Sequence, residues 1–314
     1  MNETVQKMIV IPLDGSDNAL KPLNYLDLVF GPKHNLKITL LYVLPRLPPI
    51  LVEESQKSDE TLRQLKNLEG RNVEMAQNLL TAGKKRLIVM GFAEKTLEAV
   101  SKKIEIGIAR DIVNWSERKQ ADAVIISTRG RGKLAGFFLG ETANKVLEYS
   151  RSCPVWMIKG TVKEKHAVLA IDNSKNSLRA VDHAGFMLSG TDMKVTIFHS
   201  KRDLKRFLPQ ELADEFPELQ KFWQRKAGKV ILPFIQKAKD MLLEAGLSEG
   251  QITTKLVDGS RSAAADMLDE MKSSKAGSLF IGLHGYSSVK DFTMGSVTRK
   301  VLNQAEDMAV CIVP

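Results

Sequence analysis

Two stretches of this 314-residue chain decide its fold: VIISTRGRGKLAGFFLGETANKVLEYSRSCPVWMI at residues 124–158 and LFIGLHGYSSVKDFTMGSVTRKVLNQAEDMAVCIV at residues 279–313. At an offset of 155 residues they pair Gly130 with Gly285 and Gly140 with Gly295. An apolar run opens both stretches and another closes them. Self-similarity at a fixed spacing is typical of a duplicated structural unit.

The beginnings of the two halves match as well. MIVIPLDGSDNAL from Met8 corresponds to AVLAIDNSKNSL from Ala167, and this alignment pairs Asp14 with Asp172. A length of 314 residues also suits two domains near 150 residues each. We therefore predict two copies of one domain, at 1–160 and 165–314, joined through the polar segment KGTVKEK at 159–165.

Apolar runs of strand length alternate with helical periodicity in both copies. In the first copy this predicts strands at 8–13, 36–43, 100–106, 123–127 and 155–158, a helix capped by Ser16 and Asp17, one long helix from about 53 to 82 or 90, and helices at 109–118 and 141–149. In the second copy it predicts strands at 167–171, 194–199, 252–257, 278–282 and 309–313, with helices at 176–188, 218–245, 262–272 and 296–303. Such alternation predicts an α/β fold: two tandem doubly wound, Rossmann-like domains, each a five-stranded, mostly parallel sheet flanked by helices.

Composition excludes several classes of protein. The net charge is +9, but Lys and Arg are mixed with Asp and Glu and only 6% of residues are aromatic, which argues against nucleic acid as a partner. No apolar run reaches the length of a membrane span, so we expect no membrane partner. Two cysteines make no disulfide framework, which favours the cytoplasm. The five histidines lack metal-ligand spacing, and Trp115 and Trp223 are expected to pack rather than stack on a base.

Two motifs fall at the predicted carboxyl ends of strands, where doubly wound sheets bind ligands. The first is Asp-Gly-Ser at 14–16 and Asp-Asn-Ser at 172–174. Its carboxylate could accept hydrogen bonds from a ribose or stand near a phosphate-bound metal ion. The cluster could equally cap the following helix, since Asp, Asn and Ser are preferred there.

The second motif combines Gly282, His284 and Gly285 with Gly295 and Ser296 at the start of a predicted helix. Glycines at the end of a strand let backbone amides approach a phosphate. The helix N-terminus adds free amides, a hydroxyl and a favourable dipole for an anion. The motif therefore predicts a phosphate-binding loop, with a spacing unlike that of the Walker motif.

These motifs give the chain a resemblance, over nearly its whole length, to the tandem universal stress proteins of the ATP-binding branch. The resemblance implies bound ATP with Mg²⁺, glycines around the triphosphate, the strand-one Asp by the ribose and metal, and the end of the second strand near the adenine. The residues it points to are Asp172, Gly282, Gly285, Gly295 and Ser296, with Phe198 and His199 near the base. His284 also fits the family pattern, although a histidine in such a loop is often a hydrogen-bonded structural residue.

The first copy departs from this pattern. Ser127 stands where the first glycine belongs, and Glu141 replaces the hydroxyl residue. Arg129, Arg131 and Lys133 make the loop basic, so it could take a different anion or be degenerate. A carboxylate beside a triphosphate is repulsive. We therefore expect a degenerate loop and one ATP per chain, held in the second copy.

The resulting functional expectation is an ATP-binding stress-response protein that acts as a nucleotide-dependent switch or interaction module. No catalytic constellation appears, so we expect no dedicated enzyme, with weak incidental ATPase activity at most. The alternatives are a slow ATP-hydrolysing or nucleotidyl-transferring enzyme, and an interaction module with vestigial sites. The last strands, around Val155 and Val310, predict an internal pseudo-dimer of the two copies; the downstream protein partner and a homodimer stay open.

Overall fold

The computed structural model of this chain describes residues 5–16, 18–128, 140–201, 212, 215–259, 262–284 and 294–314, with backbone only at 220, 224, 227 and 228. Strands and helices alternate in both copies. The first copy contains β1 (Lys7–Pro12), α1 (Lys21–Val29), β2 (Leu36–Leu44), α2 (Pro49–Ser55), α3 (Asp59–Val89), β3 (Leu97–Lys103), α4 (Ile108–Arg118), β4 (Ala123–Ser127), α5 (Glu141–Tyr149) and β5 (Val155–Lys159). The second contains β6 (His166–Ala170), α6 (Lys175–Leu188), β7 (Lys194–Lys201), α7 (Pro217–Glu244), β8 (Ile252–Asp258), α8 (Ala263–Ser273), β9 (Ser278–Gly282), α9 (Ser296–Gln304) and β10 (Met308–Val313).

The strands of both copies follow the same order. In the first copy the order is β3-β2-β1-β4-β5, and the pairs among β1 to β4 are parallel. β5 lies next to β4, where the Val124 N–H donates to the carbonyl of Pro154, the residue before β5, at 2.9 Å. In the second copy it is β8-β7-β6-β9-β10, again parallel. The predicted doubly wound α/β class is confirmed. The chain reverses its direction of winding between the first and fourth strands of each copy, which is where such folds bind ligands.

The chain groups into two compact units, of which the second contains residues 28–30 and Trp156–Pro314. Except for Val155, β5 therefore belongs to the second unit, although the predicted first domain extends to residue 160. Trp156 explains this grouping: it is 0% exposed, and its ring meets that of Phe280 edge-on at a centroid distance of 5.4 Å. The division of the sequence at 160–165 and the pairing of the copies through their last strands stay predictions.

Three local expectations in the first copy are wrong. The single long helix is divided into α2 and α3, because the Ser58 side chain caps α3 by accepting the Thr61 N–H at 3.3 Å. Ser16 does not cap α1, since its hydroxyl donates to Asp14 Oδ1 at 2.7 Å and the helix begins later in the chain. Asp17, the other expected cap, lies outside the described residues. β3 also begins and ends three residues earlier than predicted, on an edge strand whose burial alternates.

Candidate functional site

The candidate site lies at the carboxyl ends of β6 and β9 in the second unit. These strands are parallel neighbours, with Leu169 opposite Phe280. The segments that follow them are joined by a hydrogen bond from Asn176 Nδ2, in the first turn of α6, to the His284 carbonyl at 3.1 Å. The structure thus brings both predicted motifs of the second copy to one edge of the sheet.

Asp172 follows β6 and organises the start of α6. Its Oδ1 accepts the Ser174 N–H at 2.9 Å. Ser174 is the N-cap of α6, and its hydroxyl oxygen accepts the Ser177 N–H at 3.1 Å. The capping interpretation of the Asp-Asn-Ser motif is therefore confirmed. The Asp172 carboxylate also stays partly exposed at the sheet edge, so the ligand interpretation remains compatible with this geometry.

Gly282, at the end of β9, is required by packing. A Cβ built on it would lie 3.0 Å from both the carbonyl carbon and the carbonyl oxygen of Asn176. Any side chain would therefore push against the backbone of α6. The sequence analysis gives a different reason for this glycine, the approach of phosphate to the backbone. Gly285, its predicted partner in the loop, lies outside the described residues.

The N-terminus of α9 has features of an anion-binding site. Gly295 is the N-cap, with φ −56° and ψ 146°, and no side chain of the described residues caps the helix. Its N–H donates to the Leu283 carbonyl at 3.2 Å, which ties the start of α9 to the turn after β9. Ser296 is exposed at the first helical position. A helix end without a side-chain cap leaves first-turn amides to water or a ligand, and its dipole favours an anion.

Thr298 is a site-supporting residue that sequence reasoning missed. It is 3% exposed, and its hydroxyl lies 3.3 Å from the Gly282 carbonyl and 3.4 Å from the Leu283 carbonyl. This hydroxyl holds the first turn of α9 against the end of β9. The repeat gives no signal for it, because Ala143 occupies the matching position in the first copy.

His284 places an unsatisfied polar atom at the same edge. Its Nδ1 is buried and has no hydrogen-bond partner within the described residues. Buried polar atoms of native proteins usually have a partner, and an orphan at a sheet edge where ligands bind favours a ligand contact. Whether His284 contacts a ligand or is a hydrogen-bonded structural histidine stays a prediction.

Of the two residues expected near a base, the end of β7 leaves one partly exposed. Phe198 is 1% exposed and belongs to the core, because the sheet is covered on both faces. A base could reach only its backbone. His199 is part-buried, and its Nδ1 lies 2.8 Å from the carbonyl oxygen of Ile171, the residue before Asp172. Of the pair, His199 is therefore the side chain that reaches the candidate site.

A buried carboxylate supports the neighbouring strand ends and was not anticipated. Asp266, in the first turn of α8, is 8% exposed and accepts the Ser200 hydroxyl at 2.6 Å. Its counterpart at the repeat offset is Asp111, which is 0% exposed and accepts the backbone N–H groups of Glu105 and Ile106 at 2.7 and 3.2 Å. The shared position in the repeat was the signal that could have found this pair.

The first copy has a similar helix start with different chemistry. Gly140 is the N-cap of α5, with φ −53° and ψ 134°. Glu141 forms an ion pair with Lys145 at 2.5 Å, and this contact lowers the pKa of the Glu141 carboxyl. Its charge is therefore partly compensated, so it repels a triphosphate less than an isolated carboxylate would. Ser127 ends β4 as predicted, while Arg129, Arg131 and Lys133 lie outside the described residues.

Comparisons of the sequence and of the fold with known proteins all lead to one family. The sequence model of the universal stress protein family matches the chain twice, at residues 7–159 and 164–312. A universal stress protein of Methanocaldococcus jannaschii is 29% identical over 164 residues, covering 52% of this chain and 87% of that protein. Another, from Mycolicibacterium smegmatis, is 26% identical over 219 residues, or 66% of each chain. The crystal structure of a universal stress protein from Archaeoglobus fulgidus superposes with a TM-score of 0.63, covering 98% of this chain and 97% of that one; at 18% identity this likeness concerns the fold alone.

Proposed function

Because this chain belongs to the universal stress protein family, we propose that its second copy binds one ATP, with Mg²⁺ on the phosphates, and that the protein acts as a nucleotide-dependent switch or interaction module in a stress response. The observation that carries the proposal is the meeting of three features at one sheet edge. They are the α9 N-terminus and the Nδ1 of His284, neither of which has a side-chain partner within the described residues, and the partly exposed Asp172.

Each group of the ligand has a matching partner in this arrangement. The phosphates would meet the first-turn amides of α9 and the Ser296 hydroxyl, because an anion is favoured at a helix N-terminus. Asp172 would accept hydrogen bonds from the ribose or stand beside the metal ion, and His199 would lie near the base. No cluster of three or more His, Cys, Asp or Glu side chains could hold a metal within the described ranges. We accordingly propose that Mg²⁺ comes with the phosphates.

A matched pair of glycine variants tests the site. Gly295 and Gly140 are both helix N-caps with closely similar φ and ψ angles. The backbone conformation is therefore equally compatible with valine at the two positions. A Cβ at Gly295 lies 3.1 Å from the Leu283 carbonyl oxygen and would push the start of α9 away from the turn after β9. We expect Gly295→Val to weaken ATP binding at least about tenfold, or by about 1.4 kcal/mol, in a calorimetric titration. Gly140→Val should leave the affinity unchanged.

Four results from three tests would contradict the proposal. Unchanged ATP affinity in Gly295→Val would show that the α9 N-terminus does not contribute to ATP binding. Loss of ATP binding in Gly140→Val, but not in Gly295→Val, would show that the nucleotide binds to the first copy. Mass spectrometry of protein denatured directly after purification adds a third test, since co-purified ATP supports a binding protein. An adenylated product would instead indicate a nucleotidyl-transferring enzyme, and no nucleotide at all would favour an interaction module with vestigial sites.

A further inference from the structure

The N-terminal half of α7, residues 217–230, differs from the rest of that helix. From Ile231 onward the helix buries one face, with Ile231 at 2%, Ala238 at 0% and Leu242 at 0% exposed. Before that point every described side chain is exposed, except the half-buried Trp223. Pro233 has no N–H to donate to the Lys229 carbonyl, so the helical hydrogen-bond ladder is interrupted where this change occurs.

Large apolar side chains form a stripe along this exposed half. Phe216, Leu219, Phe222 and Val230 are 54%, 47%, 50% and 53% exposed. Trp223 falls on the same stripe, because residues spaced by three, four and seven positions share one face of a helix. Four half-exposed, large apolar side chains on one side of a helix indicate an interaction surface, because apolar residues on an ordinary protein surface are scattered singly.

The charge around this stripe is mostly positive, with Glu215 and Glu218 at its beginning. Between residues 219 and 239 the sequence has no Asp or Glu and six cationic side chains: Lys221, Arg225, Lys226, Lys229, Lys237 and Lys239. Among the described residues, ion pairs join Lys221 to Glu218 and Lys239 to Glu249, each at 2.9 Å. The Lys226 ammonium lies over the Phe222 ring, 5.7 Å from its centroid. Lys226 therefore borders the apolar stripe, while the stripe itself is apolar and aromatic.

A groove continues this surface between α7 and the edge strand β8. It has a volume of about 630 Å³ and an apolar lining from Leu232, Ile235 and Ile252. Lys229 and Lys239 line it as well, with Lys239 already paired to Glu249. An apolar lining beside an ammonium group suits an amphiphile with an acyl chain and an anionic head group.

We propose that the N-terminal half of α7 binds the surface of an anionic membrane, with the apolar stripe in the head-group region and the cations against anionic lipids. A helix with a basic polar face and Phe, Trp and Leu on the other side is typical of this mode of binding. No helix in the described part of the chain is long and apolar enough to cross a membrane. The expectation of no membrane partner rests on the lack of a spanning run, and surface binding does not need one.

The corresponding helix of the first copy, α3, provides a matched control. Leu68 is 46% exposed, nearly the same as Leu219 at 47%, but its helix carries Glu69 and Glu74 among its cations. Leu68 is therefore an exposed leucine outside the acid-free stretch 219–239, and its substitution separates an effect of exposed leucine from an effect of the α7 surface.

Co-sedimentation with vesicles tests the proposal on the full chain. We expect binding to phosphatidylcholine vesicles containing roughly one quarter phosphatidylglycerol, little binding to pure phosphatidylcholine, and loss of binding at high salt. Leu219→Asp with Phe222→Asp should abolish binding. Lys226→Gln with Lys229→Gln should weaken it by about twenty-five-fold, or about fivefold for each cation. Leu68→Asp should bind like the unmutated protein, and all variants should keep its circular dichroism spectrum and urea midpoint.

Three results would overturn the proposal. The first is equal binding to neutral and anionic vesicles, or none to either. The second is unchanged binding of the α7 variants. The third is a concentration-dependent dimer, measured by light scattering, that Leu219→Asp with Phe222→Asp dissociates while vesicle binding persists, because the surface would then belong to a second copy of the chain.

Discussion

Acidification tests the packing around His183, a part-buried histidine on α6. Its Nε2 accepts a hydrogen bond from the indole N–H of Trp156 at 3.0 Å, and the two rings meet edge-on with centroids 5.7 Å apart. Protonation would turn this acceptor into a donor, so two N–H groups would face each other and the hydrogen bond would be lost. Burial lowers the pKa of His183 from 6.5 to about 3.

The sign and size of the effect follow from these values. The folded-state pKa of His183 lies below the unfolded value, so the stabilisation is complete above pH 6.5 and is lost as the pH falls from 6.5 towards 3. The difference between these pKa values converts to at most about 5 kcal/mol. Because His183 is only part-buried, we expect its neutral form to contribute about 2–3 kcal/mol to the free energy of unfolding.

Urea unfolding at a series of pH values measures this contribution when the protein is compared with His183→Gln. The glutamine carbonyl can still accept the Trp156 N–H but does not titrate. Carboxylates titrate in both proteins, so the difference between the two curves isolates His183. We expect the unmutated protein to lose stability more steeply, by about 1 kcal/mol per pH unit between about pH 6 and pH 4. Parallel curves would refute the assignment of a part-buried, neutral imidazole with a lowered pKa.

Three further changes have defined outcomes. Gly282→Ala should lower the free energy of unfolding by about 1–3 kcal/mol without nucleotide, because its Cβ would lie 3.0 Å from the Asn176 backbone; an unchanged urea midpoint would contradict this packing. Ser127→Gly combined with Glu141→Ser should raise the calorimetric stoichiometry from one ATP per chain towards two, and a value that stays at one would show that these side chains do not disable the first copy. Burial raises the pKa of the Cys153 thiol to about 12, so a thiol-reactive dye should label it only after unfolding; rapid labelling of the native protein would be inconsistent with that environment.

The fold could be predicted from the sequence because its strands are short, nearly continuous apolar runs. In the second copy each strand and helix lies within two residues of its predicted bounds. The break between α2 and α3 could not be predicted from periodicity, since apolar residues continue across it and a single cap at Ser58 decides it. The capping role of Ser174 follows from residue type and neighbouring positions alone.

The remaining features of the site depend on contacts between distant parts of the chain. Gly282 is a glycine because α6 passes within 3.0 Å of the position of its Cβ, and no local pattern contains that distance. Phe198 and His199 are adjacent in sequence, yet one is in the core and the other reaches the sheet edge. Which of two neighbouring strand residues faces a ligand depends on register and on the covering helices. The sequence pattern leaves that choice open when both faces are buried.

One helix connects the candidate nucleotide site to α7. α6 begins at the sheet edge, where Asn176 donates to the His284 carbonyl. Near its other end, α6 packs closely on α7: a Cβ built on Gly185 would lie 3.0 Å from the Ala245 Cβ and 3.6 Å from Leu242. Packed helices transmit displacement because protein interiors have few voids. A nucleotide that draws the first turn of α6 towards the phosphates would therefore act on the packed half of α7, whose exposed half carries the proposed membrane surface. If the two sites are coupled in this way, linkage requires that anionic vesicles change the affinity for ATP by the same factor by which ATP changes binding to the vesicles.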